Sequence, residues 1–141
     1  MSSALDRRSF EERYHDGLET RRVLFGVEHV EKRMAAVDDF SRPFAEFLNT
    51  HVFNDIWNRP GLPLATRSIL NIGMLAALGR SPELKTHIGA ALNNGVTSEE
   101  IREVLLQVAV YCGAPAAVDG FRLAAEVLRE QELTKSKGAN K

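Results

Sequence analysis

Cysteine is nearly absent: Cys112 is the single one among 141 residues. A disulfide framework within the chain is therefore excluded, as is any zinc or iron–sulfur site built on several thiolates. One unpaired thiol fits a reducing, cytoplasmic compartment. An excess of one charge is also lacking, because Lys and Arg number 18, Asp and Glu number 19, and the net charge is −1. With no basic stripe or tract, a nucleic-acid partner is not expected. Any anion-binding charge must be local. Long hydrophobic runs are missing too. The longest, Ile69 to Leu78, is too short to span a bilayer and is interrupted by Asn71. Met1 to Arg13 is polar and charged, without the apolar region of a signal peptide. No membrane partner is expected. There is no internal repeat, no phosphate-binding glycine loop and no metal-ligand spacing, so neither metal nor organic cofactor is expected.

What is present is helical patterning in a chain that is 44% apolar, a normal globular composition for one domain. The expected fold is all-α, a compact oligomeric bundle in a single domain spanning 1–141, with a core over about 10–131 and loose polar ends at Met1–Asp6 and Thr134–Lys141. Segments near Phe10–Leu18 and Val30–Val37 read as helices. Ser41 and Pro43 open another that runs to about Phe53. Residues 54–63, with Pro60, Gly61 and Pro63, read as a loop that carries Trp57 and Arg59. Leu64 to Leu78 is apolar nearly all round and is expected to be a central buried helix ending at Gly79. Ser81-Pro82-Glu83 starts a helix that stops at Asn93-Asn94-Gly95. Thr97 and Glu100 form a capping box. The helix they open buries Ile101, Val104, Leu105 and Val108. Gly113 and Pro115 break the pattern, and a last helix is expected to present Ala117, Phe121, Ala124, Ala125 and Leu128 on one face.

From residue 54 onward a series of segments carries a resemblance. They are Asp55-Ile56-Trp57-Asn58-Arg59-Pro60-Gly61-Leu62, Thr66-Arg67-Ser68, Met74-Leu75-Ala76-Ala77-Leu78-Gly79-Arg80, and Leu84-Lys85 with His87. Asn93-Asn94-Gly95-Val96-Thr97, Glu99 through Gln107, and Tyr111 through Ala117 continue it. Near the N-terminus, Arg21-Arg22-Val23-Leu24 and Gly26 with His29 join them. In this order the segments resemble the carboxymuconolactone decarboxylase family, within the alkylhydroperoxidase D-like superfamily. The resemblance implies an all-α fold, a homo-oligomer (trimer or hexamer), and cofactor-free decarboxylation of a small anionic lactone in aromatic-compound breakdown. It also argues against thiol peroxidase chemistry. That branch uses a C-x-x-C pair, whose positions fall on Pro115 and Val118 here, with the preceding glutamate at Glu103 and the following histidine position at Arg122. The decarboxylase branch shows arginine, asparagine and histidine where this chain has Gly89, Val118 and Arg122. These changes keep two alternatives in view: a paralog that isomerises or hydrolyses a related lactone, and a non-catalytic oligomeric binding protein.

Decarboxylation of such a lactone sends electrons toward its carbonyl. The protein must hold carboxylates, stabilise an oxyanion and reprotonate carbon. Glu103 and His87 are the candidate acid/base pair, with His29 a weaker imidazole near neutrality. Arg59, Arg67, Arg122 and Arg22 are candidate carboxylate forks, and Trp57 a candidate wall of the site. Glu103, His87 and Arg59 are expected to converge on one pocket, with Arg67 and Arg122 at its edge. Tyr111 and Cys112 read as packing.

Overall fold

The computed structural model describes residues 8–139, so the expectation for Met1–Asp6 falls outside the described residues. Within them the chain is seven α-helices and one π-helical segment, with no strand. It divides into two compact units, residues 1–64 and 65–141.

The first unit opens with α1 (Phe10–Phe25), capped reciprocally by Ser9 and Glu12. The helix runs well past the expected end near Leu18. Gly26, at φ 87°, separates it from α2 (Val27–Ala35). Ser41 does not cap α3 (Arg42–Phe47) in the expected way. It exchanges hydrogen bonds with Asp38 instead: each backbone N–H donates to the other's side chain. α3 passes without a break into a π-helical segment, Leu48–Ile56, which packs along α1. At their crossing the backbones nearly touch, and a Cβ on Gly17 would sit 1.6 Å from the Asn49 carbonyl oxygen. Only glycine permits that approach.

The first residues of the expected 54–63 loop, 54–56, are thus helical, and its tryptophan is interior. Trp57 is 5% exposed and stacks on Phe53 at 6.0 Å, while Phe25 meets Phe53 edge-on at 5.7 Å. Alongside these rings the unit buries Asn49, Thr50 and Asn54.

The second unit holds α4 (Leu64–Ala77), α5 (Ser81–Asn93), α6 (Ser98–Cys112) and α7 (Ala114–Ala139). Gly79, Gly95 and Gly113 all take positive φ at the expected helix ends. Thr97 and Glu100 form the capping box of α6. One apolar core links the four helices through Ile72, Leu84, Ile88, Ile101, Leu105, Leu123 and Val127, among others. Each such side chain contributes about 1.5–3 kcal/mol on burial. α7 lies against α5 and α6, and Gly120 lets it close on Leu105.

Three expectations need correction here. α4 is apolar nearly all round, yet Leu70, Met74 and Leu78 are exposed; its buried face is Ser68, Ile72 and Ala76. Ser81 does not cap α5; its hydroxyl donates across to Asp119. α7 takes Pro115 into its first turn, where a missing N–H costs nothing, and continues through the expected loose tail to Ala139. Its buried face is Ala117, Gly120, Leu123, Ala124 and Val127, with Phe121 and Ala125 turned outward.

Candidate active site

α6 phases the most distinctive groove. Its capping box starts the helix at Ser98, and Ile101, Leu105 and Val108 turn into the core. Glu103, Gln107 and Tyr111 then fall at successive four-residue steps along one side. All three line a groove of about 630 Å³ whose other walls are Val104, Val108 and Cys112 of α6 and Ile69 and Gly73 of α4. The lining is mostly apolar, with polar groups confined to this one stripe. Among the described residues no hydrogen bond or ion pair engages the Glu103 carboxylate. It is a carboxylate at the edge of an apolar groove, beside an amide and a phenol that can both donate hydrogen bonds.

His87 stands elsewhere on the second unit. It is half-buried on α5, with Nδ1 3.4 Å from Nδ2 of Asn71. Burial pushes its imidazole below the ordinary value, against a small opposing pull from Glu83. Asn71 lies two residues from both Ile69 and Gly73, so at helical spacing it faces away from the side of α4 that walls the groove. Glu103 and His87 therefore flank α4 on different sides within a chain.

The four arginine candidates have varied surroundings. Arg122 is exposed and paired by its own helix, with Asp119 and Glu126. Arg22 pairs with Glu19 and Glu31, whose hydrogen bonds, Glu31's first, raise its pKa. Arg67 is half-buried in the first turn of α4. Arg59 is exposed just beyond the π-helical segment and belongs to the first unit, whereas Glu103, His87, Arg67 and Arg122 belong to the second. His29 is exposed beside Phe25, 6.0 Å between ring centres. Desolvation, followed by the charges of Arg33, Arg21 and Lys32, lowers its pKa. Trp57, stacked on Phe53, is an interior side chain.

Sequence reasoning missed Gln107, Tyr111 and Cys112 as groove residues. Tyr111 and Cys112 read as packing, yet Tyr111 is 80% exposed and Cys112 is also exposed. The four-residue steps from Glu103 were the available signal. At Gly89 a side chain would meet nothing within 4 Å. The position where the decarboxylase branch has arginine is open space here. No group of three or more His, Cys, Asp or Glu side chains among the described residues could hold a metal ion. No helix of the described residues is long and apolar enough to cross a membrane.

The described residues are thus all-helical, with a lone thiol and a carboxylate at the edge of an apolar groove. The comparisons sharpen this. The carboxymuconolactone decarboxylase family profile matches residues 42–126, and the chain belongs to that family. The 4-carboxymuconolactone decarboxylase of Acinetobacter baylyi is 39% identical over 127 residues, covering 90% of this chain and 95% of its own. The nitrosuccinic acid decarboxylase of Metarhizium robertsii is 38% identical over 117 residues, covering 83% of this chain and 79% of its own. An uncharacterized protein of Paracoccus denitrificans is 33% identical over 82 residues, covering 57% of this chain and 61% of its own.

Proposed function

We propose that this chain is a decarboxylase that removes CO2 from a small carboxylated lactone of the 4-carboxymuconolactone type, in aromatic-compound breakdown, without a cofactor. The observation that carries this is the 39% identity to a 4-carboxymuconolactone decarboxylase along nearly the whole of both chains. The second relative's substrate name adds a chemical constraint. In both compounds the carbon that loses CO2 is joined to a built-in electron sink, a lactone carbonyl reached through the ring double bond in one and an adjoining nitro group in the other. The substrate itself accepts the electron pair.

In the lactone the bond to the carboxylate carbon breaks, CO2 departs, and the electron pair moves through the ring onto the carbonyl oxygen as a dienolate. A ring carbon then takes a proton, leaving the unsaturated lactone. The Glu103 groove supports the second half of this sequence. An apolar lining favours departure of neutral CO2 and strengthens nearby hydrogen bonds. Gln107 and Tyr111 can donate to the oxyanion, and Glu103 can relay a proton from water to the ring carbon. His87, shielded from that groove within a chain, is the weaker proton donor.

The reading includes a homo-oligomer, a trimer or hexamer, in the cytoplasm. The exposed apolar side chains of the second unit, Leu70 and Met74 on α4, Leu78 just after it, and Leu106 and Val110 on α6, support association. Light scattering that returned a monomer at micromolar concentration would remove that part.

The direct test is incubation of the purified protein with 4-carboxymuconolactone, following CO2 release and ultraviolet absorbance. Turnover is expected, and Glu103→Gln should lower it by about a hundredfold, the scale of a lost acid/base group. A protein that binds the lactone without releasing CO2 would overturn the reading.

A further inference from the structure

A glycine inside a helix needs a reason, because it gives up more conformational freedom on folding than alanine does. Two internal reasons recur in this chain. Gly26, Gly79, Gly95 and Gly113 take positive φ at helix ends. Gly17 and Gly120 admit a close neighbour, the Asn49 backbone in one case and the Leu105 side chain in the other. Gly73 has neither reason. It lies inside α4 and takes no positive φ. Beyond its own helix backbone, a Cβ there would meet one atom, Cγ1 of Val104, at 3.9 Å, which is ordinary contact. Gly89 on α5 shares this freedom, but Gly73 is the one that walls the Glu103 groove.

What a side chain at this position would occupy is the groove itself. Gly73 and Ile69, one turn apart, form its α4 wall, and Glu103, Gln107 and Tyr111 edge it from α6. Gly73 is only half-buried, so bare backbone is within reach there. The atom it faces across the helix pair belongs to Val104, the residue next to Glu103. One residue is a rise of about 1.5 Å along a helix. The bare stretch of α4 therefore stands nearly level with Glu103 along the groove, the height at which a ligand atom must lie to exchange a proton with that carboxylate.

We infer that Gly73 is a specificity-determining residue: its missing side chain makes the α4 wall a slot for the slim edge of a flat, unsaturated ring. This deepens the decarboxylase reading above and rests on it. In 4-carboxymuconolactone both acid-bearing groups sit on one ring carbon, and the two doubly bonded carbons carry only hydrogen. When CO2 leaves the substituted carbon, the electron pair moves through the double bond to the carbonyl oxygen. The proton is then taken by the unsubstituted carbon beside the carbonyl. That carbon belongs to the slim edge. Seating it against Gly73 sets it level with Glu103, while the substituted carbon stays clear of the wall. A methyl group on residue 73 would push the edge outward by about an ångström, enough to cost on the order of a hundredfold where a reacting atom must be held in line.

The test is kcat/KM on 4-carboxymuconolactone for the wild type, Gly73→Ala and Gly73→Leu, with unfolding followed in parallel. Gly73→Ala is expected to fold at least as firmly as the wild type and yet to lose about tenfold to a hundredfold in kcat/KM. Gly73→Leu fills more of the groove and should lose more. Firmer folding with weaker turnover is a result that a merely structural glycine would not give. A loss short of about tenfold in Gly73→Ala overturns the inference, whether or not Gly73→Leu folds. Binding gives a readout apart from turnover. Butenolide is the same unsaturated lactone ring without its acid groups. Titrated into isotope-labelled wild type, it should move the amide resonances of Gly73 and Val104, and Gly73→Ala should bind it about tenfold more weakly. No movement at Gly73 in the wild type, or equal binding to both proteins, overturns the inference. A wild type that binds butenolide at Gly73 yet releases no CO2 from 4-carboxymuconolactone would keep the ring slot and sink the decarboxylase reading instead.

Discussion

The two units hold together by different physics. The second is an apolar core threaded through four helices, with Ser68 as its one fully buried polar side chain among the described residues. Its stability is spread over many small contributions, and its helix ends are marked by a capping box and positive-φ glycines. The first unit buries three polar side chains beside a short row of aromatic rings. It depends on a few tight arrangements: a backbone contact at Gly17, the Arg13–Asp55 pair at 2.9 Å, and the Arg21–Asn49 hydrogen bond. A spread core tolerates local change, whereas a polar network fails when one member is lost.

The largest effect should come from Gly17→Ala. Its new methyl group meets backbone, not a side chain that can swing aside. A loss of about 3 kcal/mol or more is expected in urea unfolding followed by ellipticity. A loss under about 1 kcal/mol would show that α1 and the π-helical segment part easily, and the contrast between the units would weaken.

Asp55→Asn comes next, at about 1–2 kcal/mol, since it leaves Arg13 half-buried beside a neutral amide. Burial alone would raise the Asp55 carboxyl, but hydrogen bonds from Asn54, His51 and Arg13 outweigh it and hold the pKa below the ordinary 3.8. A carboxyl depressed in the folded state stabilises above its unfolded value. That contribution is lost as pH falls from about 3.8 through the lower folded value. The acid limb of wild-type stability should be steeper than that of Asp55→Asn, and equal limbs would refute the network's role.

The second unit has its own pH response nearer neutrality. His87 is held below the ordinary 6.5 by burial, so as pH falls through 6.5 the unfolded chain takes up the proton first. Folding stability then declines below that pH. Thermal melts should show a decline that His87→Gln reduces, leaving the share that His29 contributes; an unchanged pH slope in the variant would mean His87 is not a source of it.

The smallest effect sharpens the comparison most. Gly73→Ala makes the Gly17 substitution in the other unit, where the new Cβ lies 3.9 Å from Val104, an ordinary contact. A gain of about 0.5–1 kcal/mol is expected from helix propensity. Opposite signs for one chemical change would separate a spread core from a tight crossing, while a loss of stability here would show that α4 and α6 are as closely fitted as α1 and its partner.

Legibility followed the same division. Capping and glycine stops announced α5 and α6 because they are local signals, and Gly79, Gly95 and Gly113 took the conformations their positions demanded. Residues 54–63 were read as loop from Pro60, Gly61 and Pro63, yet 54–56 are helical, because those breakers act only beyond Trp57. A π-helical segment closes its hydrogen bonds five residues back, which shifts the faces and hides the pattern. The phase of α7 was misjudged for another reason: Gly120 faces the core because Leu105 comes so close, and a glycine carries no hydrophobic mark. At the candidate site Glu103 was visible through the family resemblance, and Gln107 and Tyr111 were visible only in its helical phase.

Cys112 has a practical consequence. It is the chain's single thiol, it is exposed, and it lines the Glu103 groove. A fluorophore or spin label attached there would report from one known address per chain, in a protein otherwise native. Its signal would follow groove occupancy in real time, and distances between labels would count and arrange the copies in any assembly.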